Sequence, residues 1–294
     1  MSDVEIHLLL HYPVNQLIRT YSENLVDVYW GYHQKKLLLN PWRFFQLWRN
    51  LRRGKYDLVI NSHTPDHFSL SHALLGRLCN PRMLLGFNVG DASYYNDISL
   101  PPSTDKHYAD AQVDLWRYFD PRARLQWGGL RISPEQVRDY FRKWKLELEP
   151  PAVMLWLGAT GNKMLPADLV AFLYEQISKQ TNLRTVVALG PGDVDLLSQY
   201  PPWLQEKVFI WDRPLVDTAV FLSGFKLFIS ADTGPMHLAV ALGIPTLTIF
   251  THSNLQQYGY HDGIQHFSLQ YRSGGEFREK LIECLKTWQE KNVL

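Results

Sequence analysis

The sequence is short of cysteine: Cys79 and Cys284 are the two it has in 294 residues. Two thiols so far apart make neither a disulfide framework nor a zinc-type spacing, so a reducing, cytoplasmic setting is the simpler expectation. An excess of either charge is also missing. Lys plus Arg number 30 and Asp plus Glu 29, a net charge of +1, which excludes nucleic-acid binding by bulk charge. No apolar run reaches the roughly 18–20 residues of a membrane span. Asp3, Glu5 and His7 stand where an export signal would need a basic end and an apolar block. The common glycine-rich phosphate loops are absent too. Gly158–Lys163 lacks a closing Gly-Lys-Ser/Thr, and Gly190-Pro191-Gly192 lacks a third glycine.

What is present suits about two domains by length, with 46% apolar and 13% aromatic residues for a sizeable core. Strands are expected at Val4–Leu10, Tyr56–Asn61 and Arg82–Phe87, and helices at Pro41–Leu51, His107–Phe119 and, capped by Ser133, Pro134–Lys145. Glu149-Pro150-Pro151 stiffens the chain and stops a helix, which places a boundary near residue 150 and domains at 1–149 and 150–294. Beyond it, apolar strands at Val153–Leu157, Arg184–Leu189, Val208–Trp211, Lys226–Ser230 and Pro245–Phe250 alternate with helices. That alternation predicts an α/β fold with a parallel sheet covered on both faces.

The first helix has a capping residue in Asn40 and a proline at its first position, with Phe44, Leu47, Trp48 and Leu51 at helical spacing. Arg43, Arg49, Arg52 and Arg53 surround that face. Packed on the N-terminal sheet, the apolar face would leave the arginines in solvent. The same pattern also suits an anionic lipid surface or a phosphorylated acceptor.

Three loops after strands carry the chemistry. In Ser230-Ala231-Asp232-Thr233-Gly234-Pro235-Met236-His237, a strand turns directly into a helix that Asp232 or Thr233 can cap. The helix amides and dipole there make an anion site suited to a diphosphate, with His237 one turn in as a further donor. In Gly158-Ala159-Thr160-Gly161-Asn162-Lys163, small residues admit a phosphate, Thr160 offers a hydroxyl and Lys163 a point charge. At Gly190-Pro191-Gly192-Asp193, an acidic group, Asp193 or Asp195, can accept from a ribose hydroxyl, or the segment is a plain turn. In an open parallel sheet such loops share one edge, and together they select a phosphorylated ligand.

The run from Ser230 to Pro245, with Asp232, Thr233, Gly234, His237 and Ala241 in place, resembles the C-terminal signature of glycosyltransferase family 9, the ADP-heptose:lipopolysaccharide heptosyltransferases. Gly158 to Lys163 and Pro166 resemble its second nucleotide-sugar motif. The resemblance implies a GT-B fold, two Rossmann-like domains facing a central cleft. It also implies a cytoplasmic, inverting transferase that moves a sugar from a nucleotide diphosphate, ADP-heptose by family, to a lipopolysaccharide-core or other glycan acceptor, with peripheral contact at the inner membrane. No cofactor and no metal are implied, because basic groups and helix amides neutralise the leaving diphosphate. Asp232, Thr233, Gly234 and His237 would contact diphosphate and sugar, Thr160 and Lys163 the phosphates, and Arg213 and Leu215 the base. The family's opening strand and Gly-Asp turn, source of its proposed base, do not precede Val4–Leu10. The start is therefore truncated, the base is replaced, or the chain binds a nucleotide sugar or glycan without turnover. Asp66 is the first substitute for the base and Asp91 the second.

Overall fold

The computed structural model describes residues 4–22, 26–33, 40–63, 66–146, 151–181 and 183–291. Contacts divide the chain into two compact units, residues 32–126 and residues 1–31 with 127–294. Glu149 and Pro150, where the sequence places its boundary, lie outside the described residues. The helix preceding them packs within the larger unit.

That larger unit is built on a six-stranded, all-parallel sheet of β6 (Ala152–Trp156), β7 (Arg184–Leu189), β8 (Val208–Ile210), β9 (Leu227–Ala231), β10 (Thr246–Phe250) and β11 (His266–Gln270). The spatial order is β11-β10-β9-β6-β7-β8. The chain therefore builds outward from β6 in one direction, then crosses back and builds from β9 in the other. The crevice beyond the carboxyl ends of β6 and β9 is the topological switch point, where open α/β sheets bind ligands. β6, β9 and β10 are buried throughout, which explains why they read as unbroken apolar runs.

One sheet face is covered by α6 (Ala167–Gln180) and α11 (Gly275–Glu290), whose Leu173, Ile177, Leu281 and Trp288 meet Val153, Leu155, Ile229 and Leu247 of the sheet. The other face carries α5 (Pro134–Lys143), α8 (Leu215–Leu222) and α9 (Gly234–Ala241), around Met154, Phe228 and Phe250. Helix α1 (Val14–Tyr21) joins this layer through Leu17 and Tyr21 and packs on α8. Strands β1 (His7–His11) and β2 (Val28–Tyr32) form a separate two-stranded sheet.

The smaller unit has a three-stranded parallel sheet of β3 (Leu58–Asn61), β4 (Met83–Phe87) and β5 (Ile98–Leu100). Helices α2 (Pro41–Arg53), α3 (Leu70–Leu78) and α4 (Tyr108–Arg117) accompany it. The Asn40 cap is made, its carboxamide oxygen accepting from the Arg43 amide at 3.2 Å. Ser133 and Gln136 form a reciprocal capping box on α5. Among the described residues, no helix is long and apolar enough to cross a membrane.

Candidate functional site

The switch point brings together residues far apart in sequence. After β6 the chain runs through Leu157 and Gly158 into a single 3-10 turn, Gly161–Lys163. Gly161 sits at φ +64, where a side chain would be strained. Thr251, after β10, braces this turn by donating to the Asn162 carbonyl at 3.4 Å. The turn aims Lys163 at Asp232, the residue after β9, and the ammonium donates to the carboxylate at 2.6 Å. Asp232 is 5% exposed and Lys163 35%. An ammonium has three N–H donors, so the pair leaves the lysine further donors at the solvent side.

This pairing alters the expected helix cap. Thr233 occupies the cap position of α9, but no side chain caps that helix. The Asp232 carboxylate is turned instead to Lys163. Pro235 contributes no N–H, the Met236 amide takes the Thr233 carbonyl at 3.1 Å, and the space beside Gly234 is open. The amino end of α9 thus keeps the positive end of its dipole beside a lysine.

His237 lies one turn into α9, its Nε2 3.8 Å from Asp232 Oδ1 and its Nδ1 2.9 Å from the Tyr260 hydroxyl. Burial lowers the His237 pKa, Asp232 opposes that shift and Lys163 reinforces it, so the ring is neutral at pH 7. Tyr260 is pushed up to about 12, first by burial and then by the Asp232 charge, and stays protonated. The direction of the Nδ1–Tyr260 hydrogen bond follows the tautomer; with Tyr260 O–H as donor, the His237 N–H lies on Nε2, toward Asp232. Tyr260 is steadied by Trp127, edge-on at 4.8 Å. Nothing in the sequence spacing marks Tyr260, 23 residues beyond its partner.

Asp193 also reaches this edge of the sheet. A Cβ on Gly158 would lie 2.4 Å from its carboxylate, so the glycine makes room for the acid. Burial raises the Asp193 pKa. Thr160 is exposed at the head of the Lys163 turn. Arg213 and Leu215 follow β8, at the carboxyl edge of the same sheet. The Arg213 guanidinium rests 3.9 Å from the Trp144 ring centre, and Leu215 packs on the core cluster containing Met236. Among the described residues no group of three His, Cys, Asp or Glu is arranged to hold a metal.

In the smaller unit, Asp66 and Asp91 are exposed on separate turns, Asp91 within Gly90–Tyr94. Asp66 lies close enough to Tyr108 to help raise its pKa, after burial as the main cause. Next to Asp66 is a histidine group that the sequence reading passed over. His63 and His72 stack at 4.2 Å, with His67 edge-on to His63 at 5.3 Å. Burial, then the charges of His72 and His67, lower the His63 pKa to about 4. A small hollow beside them is lined by Asn61, His63, His67, Phe68, Ser69 and Phe87.

The sequence profile of glycosyltransferase family 9 (heptosyltransferase) matches residues 44–285. The chain belongs to glycosyltransferase family 9. A Haemophilus influenzae relative, itself only provisionally named a glycosyltransferase, is 25% identical over 171 residues, 52% of this chain and 48% of the relative. The match thus spans about half the length of that curated relative. A family 9 glycosyltransferase from Veillonella parvula superposes with a TM-score of 0.72 at 18% identity, over 98% of this chain and 86% of the other. The E. coli ADP-heptose lipopolysaccharide heptosyltransferase II superposes at 0.71 with 17% identity, over 99% and 92%. At these identities the likeness is one of fold, the GT-B fold of family 9.

Proposed function

We propose that this family 9 chain transfers a sugar from a nucleotide-diphosphate donor of the ADP-heptose type to a glycan acceptor such as the lipopolysaccharide core. The observation that carries this reading is the meeting of Lys163, Asp232 and the uncapped amino end of α9 at the switch point. Donor phosphates lie against the α9 amides and the remaining N–H groups of Lys163, with Thr160 at the rim. Asp232 holds the lysine in place, His237 presents Nε2–H toward the sugar-phosphate side, and Asp193 accepts from the ribose.

An acceptor hydroxyl attacks the anomeric carbon from the face opposite the diphosphate. The carbon–oxygen bond to phosphate breaks as the new glycosidic bond forms, inverting the centre. The leaving diphosphate gains charge in the transition state, which is where Lys163 and the helix dipole act most strongly. The hydroxyl proton passes to a general base, for which Asp66 is the first candidate and Asp91 the second.

Transfer from ADP-heptose by the purified chain tests this. Lys163→Ala is expected to lower kcat/KM on the order of 100-fold, the effect of losing one donor to a developing anion. Titration calorimetry with ADP separates binding from turnover. Tight ADP binding without transfer would assign the chain the non-catalytic role. Transfer unchanged in both Lys163→Ala and Asp232→Ala would reject the site.

A further inference from the structure

His237 is loosely held at the switch point. Its side chain is 41% exposed, and Asp232 Oδ1, at 3.8 Å from Nε2, is beyond hydrogen-bond reach. The contact that turns the ring is the Tyr260 hydroxyl, 2.9 Å from Nδ1, with the two rings edge to face at 5.6 Å. Where the phenol stands therefore decides where Nε2 points. The main chain of Tyr260 is fixed by the Ser268 hydroxyl, which donates to its carbonyl at 2.8 Å. Its ring meets the Trp127 indole at 4.8 Å, the planes 78° apart, an arrangement that aromatic pairs favour.

Trp127 belongs to a segment with a second hold on the same helix. The larger unit resumes at Trp127. Gly128 and Gly129 follow at φ +91 and +123, where L side chains are strained, and a Cβ on either would meet nothing within 4 Å. The two glycines thus serve the path of the backbone and not a close approach. Leu130 then buries its side chain in the cluster containing Met236 and Leu238. Its amide donates at 3.1 Å to the carbonyl of Ala241, the last residue of α9. Within four residues the chain reaches α9 directly at its carboxyl end and, through Tyr260, in its first turn.

We propose that Trp127 is a positioning residue for sugar transfer: its indole holds the Tyr260 ring, and Tyr260 holds His237 with Nε2 turned to the donor. The effect on turnover rests on the proposed function, whereas the orientation of His237 is read with no donor present. The α9 dipole and Lys163 hold the diphosphate however the imidazole is turned. A misplaced His237 therefore costs the transition state more than the bound donor, and the loss falls on kcat.

The test compares Trp127→Ala and Trp127→Phe with the unaltered full chain. In the ligand-free protein the nitrogen-15 shifts of His237 should move in Trp127→Ala, toward those of a ring whose proton is shared by both nitrogens. They should stay in place in Trp127→Phe, which keeps an aromatic edge for Tyr260. In transfer from ADP-heptose, Trp127→Ala should lower kcat by up to about 100-fold with the donor KM little changed, and Trp127→Phe should restore most of the rate. ADP affinity by calorimetry should be alike in all three proteins. The losses of Trp127→Ala and Tyr260→Phe should not add in the double variant, because both act through one imidazole. Unmoved His237 shifts in Trp127→Ala overturn the proposal, as do full additivity in the double variant and a kcat loss that Trp127→Phe leaves unrepaired. If the unaltered chain transfers no sugar, the proposed function fails, and the His237 shifts alone decide whether Trp127 holds the ring.

Discussion

Asp232 is buried and its charge is answered by Lys163 at 2.6 Å, so the two residues stand or fall together. Lys163→Met strands a desolvated carboxylate. The expected cost is about 2 kcal/mol, the scale for losing a hydrogen bond to a charged group, and less than for a fully enclosed pair because Lys163 meets solvent. The double variant Lys163→Met/Asp232→Asn should recover part of that loss, which thermal unfolding of the four proteins will show. Tyr260 acts on the same corner through His237. In Tyr260→Phe the Nδ1 nitrogen loses its hydroxyl partner, and the imidazole should redistribute its proton between the two nitrogens. Nitrogen-15 shifts of His237 read that tautomer directly; an unchanged Nε2–H signature would dismiss Tyr260 as its anchor. The placement of Asp232 and Lys163 on turns after apolar strands was visible in the sequence. Their pairing was not, because it depends on which strands become neighbours. Tyr260 left no local trace at all, since it reaches His237 from another loop.

Among the elements, two helix starts with similar capping residues should respond differently to the same change. Ser133 accepts from the Gln136 amide at 3.2 Å and is answered by Gln136 in return. Ser133→Ala is therefore expected to cost about 1 kcal/mol. Thr233 makes no side-chain cap on α9, so Thr233→Ala should cost well under half as much in the ligand-free protein. Chemical denaturation of both variants checks the contrast. The central strands were legible because burial on both faces leaves continuous apolar runs, as in Leu227–Ala231 and Thr246–Phe250. Val28–Tyr32 escaped notice because Gly31 interrupts it and Val28, Tyr29 and Trp30 are only partly buried. Ile98–Leu100 is three residues long and carries no periodicity. For α2 the helix and its Asn40 cap were readable. Its surroundings were not, because a helical wheel does not say how much of an apolar arc the neighbouring layer will cover.

Across the whole molecule, three histidines are kept neutral by burial. His63 is lowered to about 4, and His237 and His266 are also lowered. A histidine whose folded pKa lies below its unfolded value of about 6.5 contributes stability above that pH and loses it as pH falls toward the folded value. The protein should therefore melt at lower temperature at pH 5 than at pH 7.5, as calorimetry will show. His63→Asn should flatten the acid side of that profile. His266 accepts or donates at Thr246 Oγ1 within 2.9 Å inside the sheet, so its protonation strains the larger unit, while that of His63 strains the smaller.

The strand order has a consequence for synthesis. Lys163 and Asp232 are 69 residues apart, and the strands that carry them are parallel neighbours joined only by a long excursion through β7 and β8. A nascent chain that has left the ribosome as far as β8 has the lysine but nothing to aim it. On the proposed function, nucleotide capture waits for translation of β9 and the return of the crossover, so a fragment ending before β9 is expected not to bind donor.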